Sequence, residues 1–230
     1  MGSARSRKPK DGANLILVPT DAPPGDLAQM RAAVLAVGEK YGYDAEHAAQ
    51  VASLARTLFG ALEDLHHLNL GWLPVLEHAA LLHDIGYFVN ARKHHRHSRT
   101  LICRDALLDS YPQTWRRAMA LIAGNHRKTP RKAPKGWGHQ SRVAVDRLTA
   151  ILRIADALDY SHDGQTQIHR VEVTATRVRV EVGGVRLAAL RRILTKKSAY
   201  FSEPFSIPVG FVLTSGPGRG HQIAARGGRR

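Results

Sequence analysis

The sequence predicts a mostly α-helical domain with a small α+β appendage at its C-terminal end. Three observations carry that expectation. Apolar residues recur with a helical period from Leu27 to about His162. Beyond His162 the pattern switches to alternation, Val171-Glu172-Val173 and Val178-Arg179-Val180-Glu181-Val182, as strands require. Pro and Gly punctuate the seams between segments. With 230 residues and 43% hydrophobic content, the chain can bury one sizeable core.

Each element follows in order. Residues 1–26 form a basic arm expected to be flexible, with an apolar run Asn14–Pro19 that reads as a stray strand and a Pro23-Pro24-Gly25 break. The helical domain is expected over 27–165. Its first helix covers about 27–41 and ends near Gly42. Asp44 is a good N-cap for a second, about 45–65. Pro74 is placed to open a third, which Gly86 closes. A fourth covers about 97–109 and a fifth about 113–126. A loop rich in Pro, Gly and Lys, 129–138, precedes a sixth at about 142–160. The appendage, 166–214, comprises two strands, a turn at Gly183-Gly184, a short helix around 186–200 and a last strand from Ile207 to Leu213. Residues 215–230 read as a disordered tail.

The totals exclude several classes. No apolar run approaches the roughly 18 residues of a membrane span, and the basic start lacks the apolar segment of a secretory signal. The single cysteine, Cys103, forbids an internal disulfide, fits a reducing, cytoplasmic compartment, and reads as a small core residue. Charge is more informative. The formal net charge is +15, and the stretch from Ile85 to Val145 holds 13 Lys/Arg against two acids, Asp105 and Asp109. Such a field attracts polyanions: phosphate-rich small molecules, polyphosphate or nucleic acid. Trp137, between two glycines, reads as a pin for its own loop or as a stacking surface for a base.

The chemistry lies in polar residues on apolar helix faces. In the second helix Val51, Leu54, Ala55, Leu58 and Phe59 form the stripe, and His47, four residues before Val51, lies on it. In the fifth, Trp115, Met119 and Ile122 lead to His126. In the sixth, Leu148, Ile151, Leu152 and Ala155 place Asp156 inward. His83 and Asp84 end the third. Read singly, His47 is a hydrogen-bonded core histidine, His126 a helix end, and Asp156 a partner for Arg153. Together, four helices each send a ligand type inward, and a divalent cation is the simplest common partner.

That ordered set, His47, then His83-Asp84, then Asp156 in Arg153-Ile-Ala-Asp-Ala-Leu-Asp159, resembles the signature of the HD superfamily of metal-dependent phosphohydrolases. HDIGYFVN, His94-His-Arg-His-Ser98, Asn125-His-Arg-Lys128 and LRIADALDYSHDG are most similar to the C-terminal HD-type domain of the exopolyphosphatase/guanosine-pentaphosphatase (Ppx/GppA) family, over about residues 27–200. The resemblance implies an HD-type helical bundle. In that family phosphatase activity resides in an N-terminal actin-like module, which no segment of this sequence is expected to form. The family's HD region often has a degraded dyad and then serves binding or dimerisation, so a homodimer is open here. This sequence keeps His83-Asp84 intact. Tyr87 and Asn125-His-Arg-Lys128 depart from the motifs of cyclic-di-GMP phosphodiesterases, and Phe88–Arg92 lacks the Glu-Asp pair of (p)ppGpp hydrolases.

What the resemblance implies is a metal-dependent phosphohydrolase acting on a phosphoester or phosphoanhydride of a nucleotide or polyphosphate-like substrate. His47, His83, Asp84 and Asp156 would hold one divalent transition metal (Mn, Fe, Co or Zn). His97 and His126 resemble the extra ligands of dinuclear HD enzymes, with Asp84 bridging two ions and the His83-Asp84 dyad central to catalysis. Arg96, Arg127 and Lys128, beside ligand candidates, are placed to grip phosphate. His95 reads as a solvated loop histidine or as an acid for the leaving group. Asp159 is expected to orient a ligand histidine or cap a turn rather than bind metal. The alternative is a non-catalytic polyphosphate- or RNA-binding or regulatory module.

Overall fold

The structure is a computed structural model that describes residues 26–134, 136–184 and 187–214. The basic arm, its apolar run and the C-terminal tail lie outside the described residues. Helix α1, Leu27–Lys40, starts where the Asp26 carboxylate accepts from the Ala28 N–H (2.8 Å). Asp44 caps α2, Ala45–Ala61, in the same way, accepting from the His47 N–H (3.0 Å). A short α3, Glu63–His66, follows, so the second helix stops earlier than its sequence suggests.

Helix α4, Trp72–Leu81, is the hub. From Val75 to His83 every residue is buried, with α1, α2, α6 and α7 packed around it. Pro74 does sit in its first turn, but the helix ends at Leu81 rather than Gly86. Gly86 has another task. It lies in the 3₁₀ turn Ile85–Phe88, where a Cβ would stand 2.1 Å from the His94 carbonyl oxygen and 2.5 Å from the Ser98 nitrogen. Only glycine lets the backbone approach α5 so closely, and its N–H donates to Ser98 Oγ (2.9 Å).

Helix α5 spans His94–Arg104, three residues earlier than the expected start. It stops because Asp105 turns to cap a 3₁₀ turn, Ala106–Leu108, through the Leu107 N–H. Its buried face is His94, Ser98 and Ile102, four residues apart. Cys103 is rotated off that face and is exposed, so it is not the core residue expected. Helix α6 is Gln113–Gly124 and α7 is His139–Leu158, which begins three residues before the expected position. Trp137, just before α7, is buried and packs into the core as a loop pin.

The appendage is a three-stranded sheet with two helices. Strand β1, Gln167–Val173, pairs antiparallel with β2, Val178–Gly183, which pairs parallel with β3, Val209–Leu213. Helices α8, Leu187–Ser198, and α9, Ser202–Phe205, make the crossover that a parallel pair demands. Strand β1 leans on α2, and α8 packs along α7. Among the described residues the protein is therefore mostly helical, with a small C-terminal sheet. Among the described residues no helix is long and apolar enough to cross a membrane.

Candidate metal centre

The end of α4 delivers His83 and Asp84 to the middle of the bundle, and four helices supply what surrounds them. Two groups of ligand atoms converge there: His47, His83 and Asp156 in one, Asp84, His94 and His126 in the other, each with its donor atoms within 4.8 Å of one another. His47 comes from the first turn of α2 and Asp156 from the last turn of α7. His94 opens α5, and His126 follows α6. Asp84 links the groups. Its Oδ2 lies 3.5 Å from His83 Nε2, while Oδ1 lies 3.2 Å from His94 Nε2 and 3.3 Å from His126 Nε2.

The hydrogen bonds behind the rings fix their tautomers. Nδ1 of His83 donates to Ala80 O (2.7 Å), Nδ1 of His126 to Ala123 O (2.7 Å) and Nδ1 of His94 to Ala91 O (3.1 Å). A carbonyl can only accept, so each Nδ1 carries the proton. His47 Nδ1 faces the buried carboxylate of Asp159 at 2.7 Å, and Asp159 Oδ1 also accepts from the Gly164 N–H. Asp159 thus holds a ligand ring rather than joining the clusters.

The consequence is four imidazole Nε2 atoms aimed into one space. Nε2 of His47 and of His83 are buried with no hydrogen-bond partner, as is Oδ1 of Asp84. His94 Nε2 and His126 Nε2 face each other at 3.2 Å. Protonating the deepest of these rings is costly. Burial pushes the His83 imidazole down to about 4, and holds that of His126 well below its ordinary value. Burial opposes ionisation of Asp84, and any proton carried by His83, His94 or His126 draws its carboxyl far below the usual range. Unpaired donors of this kind destabilise a fold unless a cation satisfies them. Imidazoles held through Nδ1 by an oxygen, together with carboxylates, are the donor set of a transition-metal site.

The other expected site residues are placed as follows. His97 is outside both groups and half-buried, one turn along α5 from His94. From this histidine run it is His94 rather than His97 that joins a cluster, sharing the buried stripe with Ser98 and Ile102; that spacing was the available signal. His95 is helical and buried, not a solvated loop residue, and burial with neighbouring positive charge pushes it down to about 4. Arg96 and Lys128 line one cleft with His95, Arg99, Asn125 and Arg131. Arg127 instead meets the Tyr87 hydroxyl, and the Tyr87 ring stacks on His94 at 4.0 Å. Arg153 does not pair with Asp156. Its guanidinium donates to the carbonyls of Asn125 (3.0 Å) and Lys128 (2.9 Å), fixing the loop that follows His126.

Besides His94, a second group at the centre was not expected from the sequence. The Lys197 ammonium, from α8 of the appendage, forms an ion pair with Asp156.

The family model for Ppx/GppA phosphatase, domain III, matches residues 30–189. The chain belongs to this family. The Ppx/GppA match contains all six clustered residues and ends before Lys197. A curated relative, the guanosine-5'-triphosphate,3'-diphosphate pyrophosphatase of Pseudoalteromonas translucida (strain TAC 125), is 26% identical over 118 residues. That alignment covers 51% of this chain and 24% of the relative, so this Ppx/GppA domain spans about a quarter of the protein it matches.

Proposed function

We propose that this Ppx/GppA domain III is itself a metal-dependent phosphohydrolase of the HD type, cleaving a phosphoester or phosphoanhydride in a nucleotide or polyphosphate-like substrate. The observation that carries the reading is the set of unsatisfied Nε2 atoms of His47 and His83, with those of His94 and His126 turned on each other around Asp84. His47, His83 and Asp156 would hold one divalent cation, of Mn, Fe, Co or Zn. Asp84, His94 and His126 would hold a second, with the Asp84 carboxylate reaching both. When bound, such a cation supplies Lewis acidity and lowers the pKa of water from about 15.7 to about 7.

The protein's own groups then orient the substrate. Asp84, the most exposed ligand, marks the side from which a phosphate enters. Arg127 stands beside the Tyr87 hydroxyl at that rim. Arg96 and Lys128 line the adjoining cleft with Arg99 and Arg131, and no carboxylate joins them there. The two acids of the basic stretch are already engaged, Asp105 by Lys40 and Tyr41, Asp109 by Arg116. The surrounding cations are thus left to a polyanion. The name of the pyrophosphatase relative supports a guanosine nucleotide with several phosphates as a candidate substrate.

The test is a phosphate-release assay with Mn²⁺ across nucleotides, guanosine polyphosphates and inorganic polyphosphate. Release that requires Mn²⁺ and stops with chelator is the expected result. Tight polyanion binding with no turnover on any phosphoester would assign the domain instead to binding or regulation.

A further inference from the structure

We propose that Lys197 is a phosphate-binding residue of the metal centre, gripping a non-bridging oxygen of the substrate phosphoryl group, so that the C-terminal appendage completes the site. The inference rests on the metal-centre reading above and goes beyond the matched family region, which stops at residue 189.

Lys197 lies three residues after Leu194 and seven after Leu190, on the buried stripe of α8. A lysine on that stripe needs a reason, because an ammonium removed from water costs several kcal/mol unless it is paired. An apolar residue there would pack α8 on α7 without that cost. The side chain is 15% exposed, and its ammonium reaches the carboxylate of Asp156. It is near enough to Asp84 to be attracted and to Arg127 to be repelled. Lys197 therefore borders the space that holds both carboxylates and the rim arginine.

Its backbone is anchored as well. Arg153 Nε donates to the Lys197 carbonyl (3.3 Å), while Nη1 of the same side chain donates to Asn125 and Lys128. One buried guanidinium thus ties the end of α8 to the loop beside His126. Such a clamp matters if the lysine must be held to the chemistry and is superfluous if it is a surface charge.

Charge decides the role. Without a divalent ion the ammonium offsets Asp156. Once Asp156 engages a dication, the lysine loses that partner and its charge becomes surplus. Its backbone is held beside the site by Arg153. The nearest use for a confined point charge is an anionic oxygen brought in by the substrate. The competing role is a permanent counter-ion that keeps Asp156 from a metal.

The test measures Mn²⁺ binding, and orthophosphate binding to the Mn²⁺-loaded chain, by calorimetry on wild type, Lys197→Met and Lys197→Arg. Lys197→Met should bind Mn²⁺ at least as tightly as wild type but orthophosphate roughly ten- to a hundredfold more weakly, the loss of one charge-assisted contact. Lys197→Arg should recover part of it. A loaded Lys197→Met protein that binds orthophosphate as wild type does overturns this proposal alone, as does one that changes only Mn²⁺ affinity. A wild type that takes up no Mn²⁺ overturns the metal-centre reading and this proposal with it. Should Lys197→Met fail to fold, a Lys197→Arg protein with unaltered orthophosphate affinity, pH profile and salt response overturns it instead.

Discussion

The two ligand groups differ in what stands behind them. His47, His83 and Asp156 lie against the appendage, with Asp159 behind one ring and Lys197 on the carboxylate. Asp84, His94 and His126 adjoin the basic side: Tyr87 stacks on His94, and His95 and Asn125, next to two of the ligands, line the cationic cleft. The carboxylate side chains differ in the same sense, 10% exposed for Asp156 and 19% for Asp84. A closed group in a dry setting holds charge strongly and exchanges little, because low local dielectric strengthens every pairing. A group at an opening trades part of that strength for access. On the proposed function, the difference makes one position an anchor and the other the one that meets substrate, with Asp84 shared.

The largest effect should follow from removing what they share. Asp84→Ala takes an oxygen from both positions and should abolish tight binding of either ion, read as transition-metal content by elemental analysis after mild purification. If Asp84→Ala retained a full complement, the two groups would be independent and the bridging geometry idle. Next in size comes a contrast between the groups. His47→Ala should lose the anchored ion, whereas His126→Ala should lose only the ion at the opening, keep the other, and still lose turnover. Equal losses from both variants would make the centre a single cooperative unit and erase the comparison.

Which parts of this were legible in the sequence follows from their physics. Helix existence came from periodicity, and N-caps such as Asp44 came from chemistry local to a few residues. His47, His126 and Asp156 were visible as ligand types on apolar stripes, where burial of a polar group reads from spacing, and His83-Asp84 as a polar pair ending an apolar helix. Boundaries decided by tertiary contact were not. Gly86 looks like a helix stop, but its lack of a Cβ serves the approach of α5, and no local rule names that partner. Helix α5 starts at His94, and the histidine on its inward face is His94 rather than His97. Lys197 was hidden for another reason. A lysine on an amphipathic helix ordinarily lies on its wet face, and only the packing of α8 along α7 turns it inward.

The comparison sharpens with the group behind His47. Asp159→Asn keeps the shape but weakens the acceptor that orients the ring and fixes its tautomer. A lost carboxylate partner of a ligand histidine typically costs 10–100-fold in metal affinity, by about that factor here for the anchored ion alone. Competition titration with a chelator would resolve it, and the ion beside His94 and His126 should be unaffected. An equal loss at both positions would mean that Asp159 acts through general stability of the α7 end, where it also accepts from the Gly164 N–H.

The smallest effect distinguishes His94 from His97 on the same helix. His94 has its Nδ1 satisfied by Ala91 O and its Nε2 turned toward Asp84 and His126, so alanine there should remove a ligand. His97 is one turn further on, half-buried, and belongs to neither group. His97→Ala should therefore leave metal content and turnover as in wild type and change folding stability by no more than about 0.5 kcal/mol, as expected away from the core. His94→Ala should lose the ion at the opening while keeping that held by His47, His83 and Asp156. The reverse pattern, with His97→Ala losing metal and His94→Ala silent, would require α5 to be turned by about a residue. That rotation would also pull Ser98 away from the Gly86 N–H, and amide hydrogen exchange at Gly86 would report it independently of any metal.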